Sequence, residues 1–264
     1  MAALLAVAVI GACMLCARAE VVTPDDAGGV ARAVRGASER GLRACAFAGN
    51  HSYGAYGECD LDGGVRIDLR RLDAVSVDAG ARTARIGGGA VLLPVLQALS
   101  EYNVTLSVGT CPSVGIAGLV LGGGHGLLTR SLGLTLDSLL GAEVALGNGT
   151  LVNASESENP ELLWALRGGG GGNVGIVTSF EFRTASVTSL CKYEYRCPWE
   201  RAAECLRRWN LWNSSPTAVN EKVASSKASV SGYSGPAGPW WRDSVRIYGA
   251  CLCGPECCLG LLAN

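Results

Sequence analysis

The chain has almost no net charge: 22 Lys and Arg stand against 23 Asp and Glu, a formal −1 over 264 residues. That balance removes the electrostatic basis for a nucleic-acid partner or an anionic membrane surface. Histidine is scarce. His51 and His125 are the two present, so any imidazole chemistry falls to them. There is no internal repeat, and the 37 glycines follow no G-X-Y period, which excludes a collagen-like rod. No Gly-Lys-Ser/Thr follows either glycine cluster, so a nucleotide-hydrolase phosphate loop is excluded. After residue 19 no segment is long and apolar enough to span a bilayer, which needs about 20 apolar residues. Residues 109–128 come nearest in hydropathy, but their glycines and Pro112 point to tight loops.

What is present begins with Met1–Ala19, MAALLAVAVIGACMLCARA. This apolar run ends in a small-x-small pattern, Ala17-Arg18-Ala19, which predicts a cleaved signal peptide and a secreted protein. The 12 cysteines fit an oxidising compartment, and Cys13 and Cys16 would leave with the signal. Cys251, Cys253, Cys257 and Cys258 crowd together without a nearby histidine or a common zinc spacing. They are expected as disulfides or buried thiols, with no metal site. Asn103, Asn148, Asn153 and Asn213 open N-x-S/T sequons, which fits secretion.

A hydrophobic fraction of 48% over 264 residues suffices for one domain and part of another. Val21–Thr23 reads as a strand. Thr23-Pro24-Asp25-Asp26 opens a helix with Thr23 as N-cap, and Gly41 stops it. Leu42–Ala48 is a strand ending in Gly49-Asn50-His51-Ser52, then a loop of aromatics and glycines to Gly57. Val65–Leu69 is a strand; Val75–Asp78 and Thr83–Ile86 form a hairpin; Val91–Tyr102 is a helix. Gly147-Asn148-Gly149 turns between two further strands. Asn159-Pro160-Glu161 starts a helix, and Ile176–Arg183 is a strand. Past Arg183 come a strand at Cys191–Arg196 and a helix from Pro198 with Trp199, Ala202, Leu206 and Trp209 on one face. A Ser/Gly/Pro-rich loop at Ser225–Pro239 and a strand at Val245–Cys251 follow. This mixture of short strands and few helices predicts an α+β fold.

Two glycine-rich stretches stand out. Gly109–Gly126, GTCPSVGIAGLVLGGGHG, holds seven glycines and no Lys, Arg, Asp or Glu. Gly168–Gly175, GGGGGNVG, sits between a helix and a strand. Glycine this dense costs folding entropy and is retained where backbone passes close to a ligand or another backbone. Our reading is that the two stretches cradle one large cofactor, with backbone N–H groups facing its phosphates. Composition and spacing leave tight packing as the alternative.

Three stretches carry a resemblance: AGNHSYGAYG at 48–57, GTCPSVGIAGLVLGGGHGLLTRSLGLTLDSLLGAEV at 109–144, and ENPELLWALRGGGGGNVGIVTSFEFR at 158–183. In order and spacing they are similar to the FAD-linked oxidases related to berberine bridge enzyme, of the vanillyl-alcohol-oxidase type. The resemblance implies a PCMH-type FAD-binding domain of two α/β subdomains over residues 20–187. Residues 188–264 would then begin an α+β substrate domain with an antiparallel sheet. It also implies FAD held bicovalently, with His51 bonded to the 8α-methyl and Cys111 to the ring. The loop Gly49-Asn50-His51-Ser52 would meet the pyrophosphate, with Asn50 replacing a family glycine. Gly109, Gly115 and Gly118 would contact the cofactor, and Gly175 and Val177 its adenine end. Val114 falls where a small side chain accompanies the use of oxygen as acceptor, and Leu119 follows the bacterial-like pattern.

The resemblance implies an oxidase that takes a hydride from an alcohol or carbohydrate CH–OH group and passes electrons to molecular oxygen, giving peroxide. His125 would orient the substrate hydroxyl or act as a base, as imidazole suits; a hydrogen bond to cofactor or backbone is the alternative. Family members run on for about one more domain, so the rest of the substrate sheet and the usual base are expected outside this chain. A non-catalytic secreted module keeping the fold is the second expectation.

Overall fold

The computed structural model describes residues 19–54, 63–215, 223–231 and 244–258. Residues 1–18 of the expected signal segment, residues 55–57 at the end of the loop to Gly57, and residues 232–239 lie outside them. Three strands open the fold: β1 (Glu20–Val22), β2 (Ala44–Phe47) and β3 (Val65–Asp68) form a parallel sheet in the order β1-β3-β2. Helix α1 (Ala27–Glu39) covers it. Val30, Val34 and Ala37 recur at helical spacing on one face, and all three are buried against Val65, Ile67 and Leu69. The N-cap is Asp26, whose carboxylate accepts from Gly29 N at 2.6 Å, and not Thr23 as the sequence predicted. A carboxylate so placed satisfies an orphan N–H and also meets the positive end of the helix dipole. Gly41 has a φ of 66°, the left-handed residue that ends the helix.

A second layer is the five-stranded antiparallel sheet β4-β5-β9-β7-β8. Its strands are β4 (Val75–Asp78), β5 (Thr83–Gly87), β7 (Leu139–Ala145), β8 (Leu151–Ser155) and β9 (Ile176–Arg183). Central β9 places Phe180 and Phe182 in the main core. Helices α2 (Leu92–Ser100), α3 (Ile116–Leu121) and α5 (Pro160–Leu166) contribute Leu92, Val95, Ile116, Val120, Leu163 and Leu166 to that same core. The predicted hairpins and the helix at 92–100 are present. Ala145 and Ile176, at the ends of β7 and β9, join the α1 core, which couples the two layers. Arg35 on α1 also donates to Gly149 O in the β7–β8 turn at 3.2 Å.

The expectation of tight loops over 109–128 holds for its ends and fails in its middle. Ile116–Leu121 is helical because Ile116, Ala117, Val120 and Leu121 bury one face, leaving Gly118 exposed on the other. A further turn of helix, α4 (Thr129–Leu132), follows, and the small strands β6 (Val104–Thr105) and β10 (Ala185–Ser186) pair antiparallel. None of these short elements has a periodic signal long enough to read.

Beyond β10, strands β11 (Cys191–Pro198), β12 (Val223–Ser231) and β13 (Ser244–Cys251) form a separate antiparallel sheet in the order β11-β13-β12. Residues 225–231 were predicted as loop but pair with β13, so ladder hydrogen bonds override their serine-rich composition. Helix α6 (Ala202–Asn213) packs Ala202 and Leu206 on the core of this sheet, and a disulfide joins Cys205 to Cys197. Trp209 donates to Ser226 Oγ at 2.8 Å; Trp199 precedes the helix in a 3-10 turn and is exposed. Cys251 and Cys258 are buried thiols with sulfurs 2.7 Å apart, and burial pushes both above the ordinary thiol range. No helix among the described residues is long and apolar enough to cross a membrane.

Two outcomes follow from these cores. Phe180 is fully buried, so Phe180→Ala is expected to cost about 3–5 kcal/mol in denaturant unfolding. Asp68 is also buried and accepts from Arg70 Nε at 2.9 Å and Arg70 Nη2 at 2.6 Å. Those bonds hold its carboxyl below the ordinary value of 3.8. The ionised carboxylate therefore stabilises the fold above that value, and the contribution is lost as pH falls through the lower folded-state value. Asp68→Asn should destabilise at neutral pH, with the gap from wild type closing in acid. Thermal melts from pH 7 to pH 2 measure it.

Candidate cofactor site

The site is built where the loop after β2 meets the turn before α3. They touch backbone to backbone at Gly49 and Gly115. A Cβ on Gly115 would lie 2.6 Å from Gly49 N and 3.1 Å from Gly49 Cα, and one on Gly49 would overlap Gly115 N. Neither position accepts a side chain, so the approach requires two glycines. Asn50 comes next with a φ of 52°. Asparagine is among the few non-glycine residues that tolerate this left-handed conformation, so the replacement of the family glycine leaves the turn intact.

The turn Cys111–Val114 is closed by Val114 N donating to Cys111 O at 3.3 Å. It is also fastened to the start of α2. Leu92 N donates to Val114 O at 3.0 Å and Leu93 N to Pro112 O at 2.9 Å. The N-cap residue Val91 has no capping side chain, so these carbonyls satisfy first-turn amides that would otherwise be orphaned. On the far side, Ile116 N donates to Ala90 O at 2.9 Å. The result is a rigid turn presenting Cys111 and Ser113 outward, both exposed, with Cys111 outside any disulfide.

His51 reaches this turn directly: its Nε2 lies 2.9 Å from Ser113 Oγ. His51 is thus bonded to the turn that carries Cys111, from a position far away in sequence. Among the described residues, the amides of Gly49, Asn50, His51 and Ser52 make no hydrogen bond, and residues 50–52 are exposed. Four consecutive open N–H groups are a fitting cradle for a pyrophosphate.

Other predicted residues separate into two groups. Gly118 faces open space from the exposed side of α3, leaving bare backbone accessible there. Gly109 packs near Leu92 and lies 3.9 Å, from its Cβ position, from His125 O. His125 is exposed, on a loop clamped to residues 107–109. Thr135 Oγ1 donates to Ser107 O, Thr135 N donates to Gly124 O at 2.9 Å, and a Cβ on Gly126 would overlap Val108 O. The His125 side chain has no hydrogen bond among the described residues. Val114 is partly buried against the main core.

Gly175 and Val177 lie at the start of β9. Gly175, with a φ of 144°, fits against Ala145 O at 2.8 Å from its Cβ position, and Val177 is buried in the core on β9. Both positions are packed against β7. The second glycine stretch still joins the first, because Gly170 N donates to Leu121 O at 2.9 Å. Sequence reasoning missed Ser113 as a partner of His51; nothing but its place in the Cys-Pro-Ser-Val-Gly motif could have marked it. Among the described residues no group of His, Cys, Asp and Glu could hold a metal.

A parallel three-stranded layer and an antiparallel five-stranded layer, meeting where unpartnered amides, a histidine and a cysteine turn come together, have the form of a cofactor-binding module. Residues 19–155 match the FAD binding domain family, and the chain belongs to it. It is 44% identical over 185 residues to the glucooligosaccharide oxidase of Sarocladium strictum, covering 69% of this chain and 37% of that one. To the xylooligosaccharide oxidase of Thermothelomyces thermophilus it is 39% identical over 213 residues, 78% of this chain and 43% of the relative. The solved glucooligosaccharide oxidase of Acremonium strictum, described as carrying a 6-S-cysteinyl, 8α-N1-histidyl FAD, superposes with a TM-score of 0.76 at 33% identity. That match covers 92% of this chain and 49% of the other. The chain therefore spans less than half the length of these relatives.

The backbone geometry gives a direct test. Asn50→Gly should leave stability within about 1 kcal/mol of wild type, whereas Asn50→Val should cost about 1–3 kcal/mol, because a β-branched residue is strained at that φ. Chemical denaturation of the two variants measures the difference.

Proposed function

We propose that the chain is the FAD-binding part of a secreted oxidase that removes a hydride from a carbohydrate CH–OH group and delivers the electrons to molecular oxygen, with FAD joined to both His51 and Cys111. The observation that carries this reading is the 2.9 Å bond from His51 to the Cys111 turn. A scaffold without a cofactor has no need of an exposed imidazole bonded to a turn that presents an exposed thiol. The dual linkage named for the Acremonium strictum enzyme supports the same pairing. Oligosaccharide as the substrate class comes from the two oxidase relatives.

The amides of residues 49–52 would hold the pyrophosphate. Gly109 and Gly118 would give the ring a bare surface, Gly115 would hold the turn close to Gly49, and Val114 would border the ring where oxygen arrives. When bound, FAD supplies the two-electron acceptor. His125, exposed and without another partner, would take the proton of the substrate hydroxyl as hydride leaves its carbon. The disulfide Cys197–Cys205 and the disulfide-bonded Cys45 suit an exported protein.

Acid-denatured protein should stay yellow, and peroxide should appear with gluco- or xylo-oligosaccharides. A colourless polypeptide overturns the covalent reading and favours a non-catalytic module. His125→Ala should lower kcat about a hundredfold or more while retaining flavin colour, the usual scale for a lost general base. Unchanged turnover would remove His125 from the chemistry.

A further inference from the structure

We infer that Ser113 is a positioning residue that decides which nitrogen of His51 is joined to the flavin. The inference rests on the covalent attachment proposed above and deepens it.

An imidazole offers two nitrogens, and the hydrogen bond made by one sets the role of the other. In this protein Nε2 is engaged by Ser113 Oγ at 2.9 Å, and Nδ1 has no hydrogen bond among the described residues. Ser113 cannot easily follow the ring elsewhere. Its turn is closed by Val114 N to Cys111 O and fastened to α2 through the carbonyls of Pro112 and Val114. On the other side, the backbone of His51 is fixed by the Gly49–Gly115 contact and the left-handed Asn50. Both ends of the hydrogen bond are therefore anchored before any cofactor arrives.

With Nε2–H donating to Ser113 Oγ, the lone pair of Nδ1 is the free nucleophile. Attachment then forms the Nδ1–C8α bond and breaks one C–H bond of the 8α-methyl. The ring gives up its single N–H proton from Nε2. The two hydrogens and two electrons pass to dioxygen, which leaves as hydrogen peroxide. While the ring carries positive charge, the Nε2–H bond to Ser113 is charge-assisted and at its strongest. Attachment through Nε2 would instead break that bond. Nδ1 is also the N1 of the 8α-N1-histidyl linkage named for the Acremonium strictum enzyme.

The test weighs the His51 and Cys111 peptides from digests of flavin-loaded wild type, Ser113→Ala and Ser113→Thr. Wild type should carry flavin on Nδ1 of His51. In Ser113→Ala the modified fraction of His51 should fall about tenfold, the factor set by one lost hydrogen bond, while the Cys111 peptide keeps its flavin. Ser113→Thr, which restores the hydroxyl, should restore the modification. Nitrogen-15 NMR of the flavin-free full chain should show His51 protonated on Nε2 in wild type and a mixture of tautomers in Ser113→Ala. Full His51 modification in Ser113→Ala, attachment through Nε2, or a wild-type ring protonated on Nδ1 would overturn the role of Ser113 alone. A wild-type chain with flavin on neither peptide would overturn both readings.

Discussion

The contact between Gly49 and Gly115 is the constraint on which the site depends. It brings a loop from the parallel layer against a turn that belongs to the core of the antiparallel layer, at a separation only two backbones can share. A methyl group on either glycine would force the layers apart. The two expected attachment residues lie within a few residues of that contact: Asn50, His51 and Ser52 follow one glycine, while Cys111, Ser113 and Val114 precede the other.

The remaining rigidity comes from unmet hydrogen bonds. Helix α2 starts without a capping side chain, and the carbonyls of Pro112 and Val114 meet its first amides. A helix end and a cofactor loop thus satisfy one another, and the turn is held although its outer side faces solvent. The same economy appears at His125, whose loop is closed by the Thr135 hydroxyl and by glycines that let it lie on residues 107–109. Flexible glycine sequence becomes a stiff surface because its conformations are dictated by the neighbours it touches.

Much of this was legible in the chain. The hairpins at 75–86 and 141–155, the strand at 176–183 and the helices at 27–39, 92–100 and 160–166 have patterning or turn residues that local rules read. The failures share a cause. Helix α3 lies inside a run of glycines and is held by burial of Ile116 and Val120, not by propensity. Strand β12 is serine-rich and exists because β13 pairs with it. Asp26 displaced Thr23 as cap because the chain enters the helix one turn later than proline placement suggested.

By itself, the sequence determined the fold class, the order of most elements and the family, since each is carried by short-range pattern or by the residues of a motif. It showed one histidine and one cysteine in motifs 62 residues apart, counted from His51 to the serine of the cysteine's turn. Only the tertiary structure decided that the histidine meets the cysteine's turn, which nitrogen of the imidazole is engaged there, and that Gly49 and Gly115 lie backbone to backbone. The reason is physical: proximity across that span is made by the close approach of two backbones and by hydrogen bonds between distant segments, and neither leaves a periodic trace in the chain.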